Sequence, residues 1–281
     1  MLFFRKKRVP PPAVIESTKT VPPRDPGSGE ISFQLANLQG LGTRDAQEDS
    51  FAFGNALDPE AIAKGGLLAV VADGMGGMAS GKTASETAVA AVLRAFPEFD
   101  LEKEIPAQLN AALSAANSAV YEKLDQSGGT TMVLALIYDE KLWYSSVGDS
   151  YLFLLHDRQL IQLNRCQTIF NELCLESIRA GELGTAAAME DLEKHAITQF
   201  VGLEQLEEID FLRRPLQLCA GDVLLVCSDG VGSTLSCNCI EKCLSHGSPE
   251  DMCAALNAEI RNKNLRYQDN YTALIVQCRK E

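Results

Sequence analysis

The sequence lacks any hydrophobic run long enough to cross a membrane. Its longest apolar runs, Leu67–Ala72 and Met132–Tyr138, are far shorter than the about 20 residues of a transmembrane helix. A signal peptide places its charges before the apolar stretch, whereas here the basic residues 5–8 follow a short apolar start. We therefore expect neither a transmembrane segment nor a signal peptide.

Basic residues are also scarce. The chain has 25 Lys and Arg against 38 Asp and Glu, a net charge of −13. An acidic surface repels the phosphate backbone of nucleic acids and the head groups of anionic lipids. We therefore expect no nucleic-acid binding.

An even, regularly spaced set of cysteines, the mark of a disulfide framework, is missing as well. The nine cysteines are scattered through 281 residues, and a chain of this length can bury a sizeable core without disulfides. This usage is typical of a reducing compartment. The sequence thus predicts a cytoplasmic protein.

Residues 1–30 differ in composition from the rest. They contain six prolines and a Gly-Ser-Gly triplet, a composition that does not build a packed core. We expect a flexible tail over residues 1–30 and one domain over residues 31–281. The basic residues 5–8 could contact an anionic membrane or a partner, but a solvated tail is the favoured interpretation.

The remaining chain is regular enough to place its elements. Alternation or continuous apolar runs predict strands at 31–38, 66–72, 209–218, 222–227 and 271–277, and four short runs between 131 and 163 indicate an antiparallel meander. Helical spacing predicts helices at 80–96, 102–124, 168–180, 185–195, 237–244 and 249–260. Strands and helices alternate in blocks, which favours an α+β layered domain over a parallel doubly wound one.

Acidic residues recur beside glycine or at the ends of predicted strands. The stretches are residues 44–49, Asp73-Gly74, Gly148-Asp149-Ser150, Ser228-Asp229-Gly230 and residues 269–272. A carboxylate at a strand end is held rigidly, and flanking glycine lets the backbone approach an ion. Oxygen ligands of this kind suit Mg²⁺ or Mn²⁺. A single Asp-Gly pair is more often a turn, so the repetition carries the argument.

In combination, these stretches resemble the metal-dependent protein phosphatases, the type 2C (PPM) serine/threonine phosphatases, in their compact bacterial form. The matching pieces occur in the family's order: Arg44, Glu48-Asp49, residues 71–77, Gly81, Ala84-Ser85, Gly129-Thr130-Thr131, residues 147–150, residues 221–230 and residues 269–272. The resemblance implies an α+β fold, a four-layer α-β-β-α sandwich of two antiparallel sheets flanked by helices.

The resemblance also implies a site for two ions of Mg²⁺ or Mn²⁺, with a weaker third. By analogy Asp73 bridges the two ions and Asp229 and Asp269 complete the first. The Gly74 carbonyl and the Glu48/Asp49 pair serve the second, and which of these two acids is the nearer ligand stays open. Asp149 corresponds to the third position.

The resemblance implies hydrolysis of a phosphate monoester by a metal-bridging hydroxide, because two ions activate water and neutralise phosphoryl oxygens. Arg44 corresponds to the family's phosphate-binding arginine, whose planar fork suits two phosphate oxygens. The alternative for Arg44 is a surface ion pair with Asp45 or Glu48. Asp73 and Arg44 are thus the predicted catalytic residues.

The sequence departs from the family pattern at a few positions. Met78 stands where bacterial relatives usually have histidine, Lys82 where they have an acid, and Ser233 where an acid commonly follows the Ser-Asp-Gly motif. Residues 166–168 replace an Asp-His-Ser triplet. The residue that protonates the leaving alkoxide is therefore not identified. A zinc site at Cys237, Cys239, Cys243 and His246 is conceivable, but the spacing matches no standard zinc module.

We predict an active enzyme and keep one alternative. The retained acids and Arg44 favour an active phosphoserine/phosphothreonine phosphatase. Met78, Ser233 and the altered residues 166–168 are the features that suggest the alternative, a pseudophosphatase that binds a phosphoprotein or kinase without efficient turnover. The expected partners are phosphorylated proteins, including a serine/threonine kinase or its targets, and the expected state is a monomer.

Overall fold

The computed structural model describes residues 31–76, 78–181, 191, 193 and 195–280, with only the backbone of Met78. The predicted tail, residues 1–30, and most of the predicted helix at 185–195 lie outside the described residues. The chain divides into two compact units, one that contains residues 167–198 and a larger one that contains residues 31–166 and 199–280. The domain boundary predicted at residue 31 stays a prediction.

Most strands lie close to their predicted positions, but the strands at Ser50–Gly54, Gly74–Met75 and Gly129–Thr130 were not predicted. In chain order the strands are β1 (Ile31–Gly40), β2 (Ser50–Gly54), β3 (Leu67–Ala72), β4 (Gly74–Met75), β5 (Gly129–Thr130), β6 (Met132–Tyr138), β7 (Lys141–Val147), β8 (Tyr151–His156), β9 (Gln159–Gln162), β10 (Asp210–Phe211), β11 (Leu216–Gln217), β12 (Val223–Cys227) and β13 (Tyr271–Lys280).

The described helices are α1 (Pro59–Gly65), α2 (Met78–Ala95), α3 (Ile105–Leu124), α4 (Ile169–Arg179), α5 (Asp229–Gly232), α6 (Cys237–Leu244) and α7 (Pro249–Asn262). Helix α4 belongs to the smaller unit, where the Thr168 side chain caps it by accepting from the Asn171 N–H. Helix α7 begins with a capping box between Ser248 and Asp251. In the described part of the chain, no helix combines the length and the apolar character that a membrane span requires.

Two antiparallel sheets form the centre of the larger unit. The first has the strand order β1-β13-β12-β8-β9, and the second has the order β10-β7-β6-β3-β2, with β11 also paired to β7. Strands β4 and β5 form a separate short ladder. The order explains how residues distant in sequence meet, since β1 and β13 pair along their whole lengths.

Strand β3 shows why the sheets stack. All six of its residues are buried. Leu67, Ala69 and Val71 pack into the apolar cluster shared by the two sheets, whereas Leu68, Val70 and Ala72 pack against α2 and α3. Because side chains alternate between the faces of a strand, one apolar run serves two layers.

Helices α6 and α7 cover the other sheet in the same way. Leu225 on β12 and Ile275 on β13 share a buried cluster with Ile240 and Leu256 on these helices. The larger unit therefore has four layers, helix-sheet-sheet-helix, and the predicted α+β sandwich is confirmed.

The predicted meander is wrong in its pairing. Strands β6 and β7 form one hairpin and β8 and β9 form another, but β7 and β8 lie in different sheets. Alternating hydrophobicity locates strands without naming their partners. Gly148 has a φ of +97°, a conformation that favours glycine, at the point where the chain leaves one sheet for the other.

The strand predicted at 209–218 is also shorter than expected. It forms two separate strands, β10 and β11, that both pair with β7. Pro215, which lies between them, has no N–H to donate to a ladder. The interruption leaves Arg213 and Arg214 exposed on the surface.

Candidate metal centre

One end of the stacked sheets collects the predicted acids. Strand β3 ends immediately before Asp73, and β7 ends two residues before Asp149. Strand β12 ends two residues before Asp229, and β13 begins two residues after Asp269. The antiparallel register pairs Cys227 with both Tyr151 and Ala273. The segments that carry Asp149, Asp229 and Asp269 therefore lie at the same end of the first sheet.

Asp73 lies at the centre of this acidic group. Its pKa is raised well above the ordinary value, first by burial and then by the charges of Asp49, Asp229, Asp149 and Asp269. These four acids are all predicted ligands. The structure therefore brings five of the predicted site residues into one electrostatic cluster.

Two threonines fix the backbone of Asp73. The Thr131 N–H donates to the Asp73 carbonyl at 2.9 Å, and the Thr131 Oγ1 accepts from the Asp73 N–H at 3.1 Å. The Thr130 hydroxyl donates to the same carbonyl at 2.8 Å. Both threonines are buried, so these bonds are shielded from water. The Gly-Thr-Thr motif thus holds the strand end that carries Asp73.

Asp49 is fully buried and is oriented by hydroxyl groups. Its Oδ2 accepts from Ser228 Oγ at 2.9 Å and from Thr272 Oγ1 at 2.7 Å. Burial raises its pKa to about 6, although these two hydrogen bonds act in the opposite direction. The Asp73 carboxyl also affects the pKa of both Asp49 and Asp229, so the three acids lie close together. Buried acids this close are stabilised by a shared proton or by a cation between them.

Three carboxylate oxygens are left without a donor. Glu48 Oε1, Asp49 Oδ1 and Asp229 Oδ1 are buried and have no hydrogen-bond partner within the described part of the chain. A buried carboxylate oxygen without a partner costs free energy unless a proton or a cation compensates it. A set of hard anionic oxygens gathered around Asp73 therefore fits Mg²⁺ or Mn²⁺.

The pKa values of Asp149 and Asp229 are raised by the same causes, burial and neighbouring acids. Burial raises the pKa of Asp149 to about 7, with Asp229 and Asp269 adding to the effect. Burial, followed by Asp269, also raises the pKa of Asp229. The carbonyl of Asp149 accepts from the Cys166 thiol at 3.4 Å.

Asp269 stands apart from the other acids because protein donors occupy both of its oxygens. Arg44 Nη2 donates to Oδ2 at 2.5 Å, and the Asn270 N–H donates to Oδ1 at 2.8 Å. The predicted phosphate ligand therefore pairs with a predicted metal ligand, and the alternative ion pair with Asp45 or Glu48 is not the one observed. The hydrogen bond that Arg44 donates to Asp269 is the main cause that raises the pKa of Arg44.

In the described part of the chain, no three His, Cys, Asp or Glu side chains already have the arrangement of ligands around an ion. This holds for the residues at Cys237–Leu244 as well, so the structure gives no support to the zinc site. In the acidic cluster, Asp49 and Asp229 lie near Asp73, while Arg44 pairs with Asp269.

Gly74 allows the second predicted ligand group to come close. A Cβ on Gly74 would lie 2.2 Å from the Gly81 carbonyl oxygen and 2.6 Å from the Glu48 carbonyl oxygen. A Cβ on Gly81 would lie 2.9 Å from Glu48 Oε1. Any larger residue at either position would push Glu48 away, so both glycines are required by packing.

Sequence reasoning missed the residues that position the acids. Ser228 and Thr272 sit in matched motifs, but only the neighbouring acids received roles. The Asn270 Oδ1 accepts from the Glu48 N–H at 2.8 Å, and Lys82 Nζ donates to the Asp49 carbonyl at 3.0 Å. The sequence signal that could have identified these positioning residues was the presence of hydroxyl and amide side chains next to the acids.

The chain is similar in sequence and in fold to known proteins. The family model described as Protein phosphatase 2C matches residues 49–268. The serine/threonine phosphatase stp of Listeria monocytogenes serotype 4b is 30% identical over 219 residues, which cover 75% of this chain and 84% of the relative.

Two solved structures have the same fold. The Mycobacterium tuberculosis serine/threonine phosphatase PstP/Ppp has a TM-score of 0.72 at 25% identity, covering 89% of this chain and 99% of that one. The catalytic domain of PstP in complex with two manganese ions has a TM-score of 0.70 at 23% identity, covering 89% and 100%. The chain therefore belongs to the protein phosphatase 2C family and is a protein phosphatase.

Proposed function

We propose that this chain hydrolyses phosphoserine and phosphothreonine in proteins with the help of Mg²⁺ or Mn²⁺ held by the acidic cluster. The observation that carries the proposal is the set of buried carboxylate oxygens without a donor at Glu48, Asp49 and Asp229. Two further findings support it: the relatives are named serine/threonine phosphatases, and a protein of the same fold was solved with two manganese ions.

The proposed ligands follow the sequence prediction. Asp73 would hold both ions, Asp229 and Asp269 the first, and the Gly74 carbonyl with Glu48 or Asp49 the second, while Asp149 would hold a third. When bound, the ions supply charge neutralisation and a lowered pKa of water. Thr130 and Thr131 keep Asp73 in place for this task, and Ser228 and Thr272 do the same for Asp49.

Arg44 would bind the phosphoryl group. Its side chain is 55% exposed, so a substrate can reach it, and its guanidinium can donate two parallel hydrogen bonds to phosphate oxygens. In this structure it pairs with Asp269. Substrate phosphate would compete with Asp269 for the guanidinium and so release that carboxylate towards the ions.

Neither His156 nor His246 is the proposed proton donor to the leaving alkoxide. His156 is buried at the far end of β8, where its Nδ1 lies 2.8 Å from Asp222 Oδ1. His246 precedes Gly247, whose carbonyl accepts from Gln277 near the same far end of the first sheet. We propose that solvent water protonates the leaving group, which a neutral alcohol product requires.

The experiment compares purified protein with and without metal on p-nitrophenyl phosphate and a phosphothreonine peptide. We expect hydrolysis with Mn²⁺ that EDTA abolishes and that Asp229→Asn reduces by at least about a hundredfold, since one ligand of a metal site is lost. Asp100→Asn, an acid remote from the cluster, is the matched control. Activity that survives EDTA and Asp229→Asn, or peptide binding without hydrolysis, would contradict the proposal.

We further propose that the chain works on phosphorylated proteins in the cytoplasm, including a serine/threonine kinase or its targets, as a monomer. The nine cysteines all lie in the described part of the chain and form no disulfide there, which supports a reducing compartment. Mass measurement in solution and phosphoproteome comparison after gene deletion are the direct tests of state and partners.

A further inference from the structure

The surface beside Arg44 has a concentration of exposed apolar side chains. Six large hydrophobic residues are exposed in the described part of the chain, and three of them lie on two loops next to Arg44. Leu41, Leu265 and Tyr267 are 45%, 44% and 78% exposed. Single exposed apolar residues are normal, but several gathered at one place mark a contact surface.

The two loops are hydrogen-bonded side by side. The Thr43 N–H donates to the Gln268 carbonyl at 2.8 Å, and the Gln268 N–H donates to Thr43 Oγ1 at 3.0 Å. Arg44 directly follows Thr43, and Tyr267 directly precedes Gln268. The proposed phosphate ligand and the exposed ring therefore flank the same pair of hydrogen bonds, on a surface with fixed backbone.

The second loop, together with the last two residues of helix α7, is also basic. Residues 261–267 are all exposed and contain Arg261, Lys263 and Arg266 but no acid, in a chain whose net charge is −13. The Arg266 guanidinium carbon lies 5.1 Å from the centre of the Tyr267 ring, which holds the cation beside the aromatic surface. We call residues 261–267 together with Leu41 the basic rim.

We propose that the basic rim binds the substrate segment next to the phosphorylated residue and prefers flanks that combine an apolar and an acidic side chain. This inference rests on the proposed function. An extended peptide advances about 3.3 Å per residue, so a substrate whose phosphate reaches Arg44 places its nearest neighbours over the adjoining surface. Apolar side chains would pack on Tyr267 and Leu41, and acidic ones would face Arg266.

Kinetics on three substrates test the proposal. They are p-nitrophenyl phosphate, a phosphothreonine peptide with glutamate and leucine flanks, and the same peptide with lysine and alanine flanks. We expect Tyr267→Ala to lower kcat/KM for the acidic-apolar peptide about tenfold through KM, while p-nitrophenyl phosphate changes by less than about twofold. Arg266→Glu should reverse the preference between the two peptides, because it inverts the charge that selects them.

Leu57→Ala is the matched control, since Leu57 is 99% exposed elsewhere and should leave all three substrates unaffected. If Tyr267→Ala lowers kcat/KM equally for the peptide and for p-nitrophenyl phosphate, the inference is overturned and the proposed function is not. The same follows if the wild type is active and the rim variants show unchanged peptide kinetics. A change confined to sedimentation would make the rim a contact between copies and would also overturn it. A wild type that hydrolyses none of the substrates would overturn the proposed function and the rim with it.

Discussion

Thr131 holds Asp73 in both directions, with its N–H donating to the Asp73 carbonyl and its hydroxyl accepting from the Asp73 N–H. The same hydroxyl lies 2.7 Å from Ser150 Oγ, on the segment that carries Asp149. One buried threonine therefore connects the strand ends of two predicted metal ligands. Its position explains why the Gly-Thr-Thr motif accompanies the acids in this sequence.

Replacing Thr131 with valine tests this connection. Valine keeps the shape but removes the acceptor of the Asp73 N–H, and a buried unsatisfied donor costs about 1–3 kcal/mol. We expect kcat with Mn²⁺ to fall about tenfold or more while the protein stays folded by circular dichroism. Thr131→Ser, which keeps the hydroxyl, should retain most of the activity. A Thr131→Val enzyme as active as wild type would show that the hydrogen bond does not position Asp73.

Metal binding should stabilise the protein strongly. Burial and the neighbouring acids raise the pKa of Asp73, so an ion bound among these acids would relieve their repulsion. At a concentration about 100 times its Kd, Mn²⁺ should add about 2.7 kcal/mol, which is roughly a 5–10 °C rise in Tm for a chain of this size.

Thermal unfolding of Asp229→Asn with and without Mn²⁺ is the control. Removing one charge should raise the Tm of the metal-free protein and diminish the rise caused by Mn²⁺. An Asp229→Asn protein that gains as much stability from Mn²⁺ as the wild type would show that Asp229 is not a ligand.

Because Arg44 pairs with Asp269, its guanidinium should compete with Mn²⁺ for the Asp269 carboxylate. Arg44→Ala should raise KM for the phosphothreonine peptide about tenfold or more, because charge-assisted hydrogen bonds to phosphate are lost. It should also leave Mn²⁺ affinity equal or higher, since Asp269 is no longer paired with a cation. Arg44→Lys should recover only part of the loss, because lysine lacks the bidentate fork. Calorimetric Mn²⁺ titration that shows weaker binding in Arg44→Ala would contradict this account of the pair.

Gly74→Ala tests the close approach of Glu48. The added Cβ would lie 2.2 Å from the Gly81 carbonyl oxygen, which is backbone and cannot rotate away. We expect a loss of stability of about 1–3 kcal/mol, as for overpacking of a core, and a weakened response to Mn²⁺ in chemical denaturation. Gly65→Ala is the control, since its Cβ would meet only the end of the Asn55 side chain. Equal stability of the two variants would contradict the predicted role.

The sequence predicted most strands and helices because apolar periodicity is a local property. Strand β8 and helix α6 have the predicted bounds, since an apolar run or stripe ends where a turn residue follows. The pairing of β7 with β8 was predicted wrongly because partner choice depends on which face of each strand is buried. That information appears only once both sheets are stacked.

Four of the acids could be located from the sequence because each lies at or near the end of a predicted strand: Asp73, Asp149, Asp229 and Asp269. Glu48 and Asp49 instead precede β2, which was not predicted. What surrounds the acids could not be predicted, because hydrogen bonds such as Ser228 to Asp49 join residues 179 positions apart. The Arg44–Asp269 pair spans 225 positions and was missed for the same reason. The acids that carry the chemistry could be found from short stretches of sequence. The hydrogen bonds that position them could not, because they join residues far apart in the chain.

Divalent ions bound around Asp73 should drive phosphate release. The most direct measurement is phosphate release from a phosphothreonine peptide as Mn²⁺ is titrated into metal-free wild type and into Asp73→Asn, with bound Mn²⁺ counted in the same samples. We predict that wild-type activity rises with bound Mn²⁺ and that Asp73→Asn loses both. Full activity before any Mn²⁺ is bound, or an active Asp73→Asn enzyme, would contradict the account.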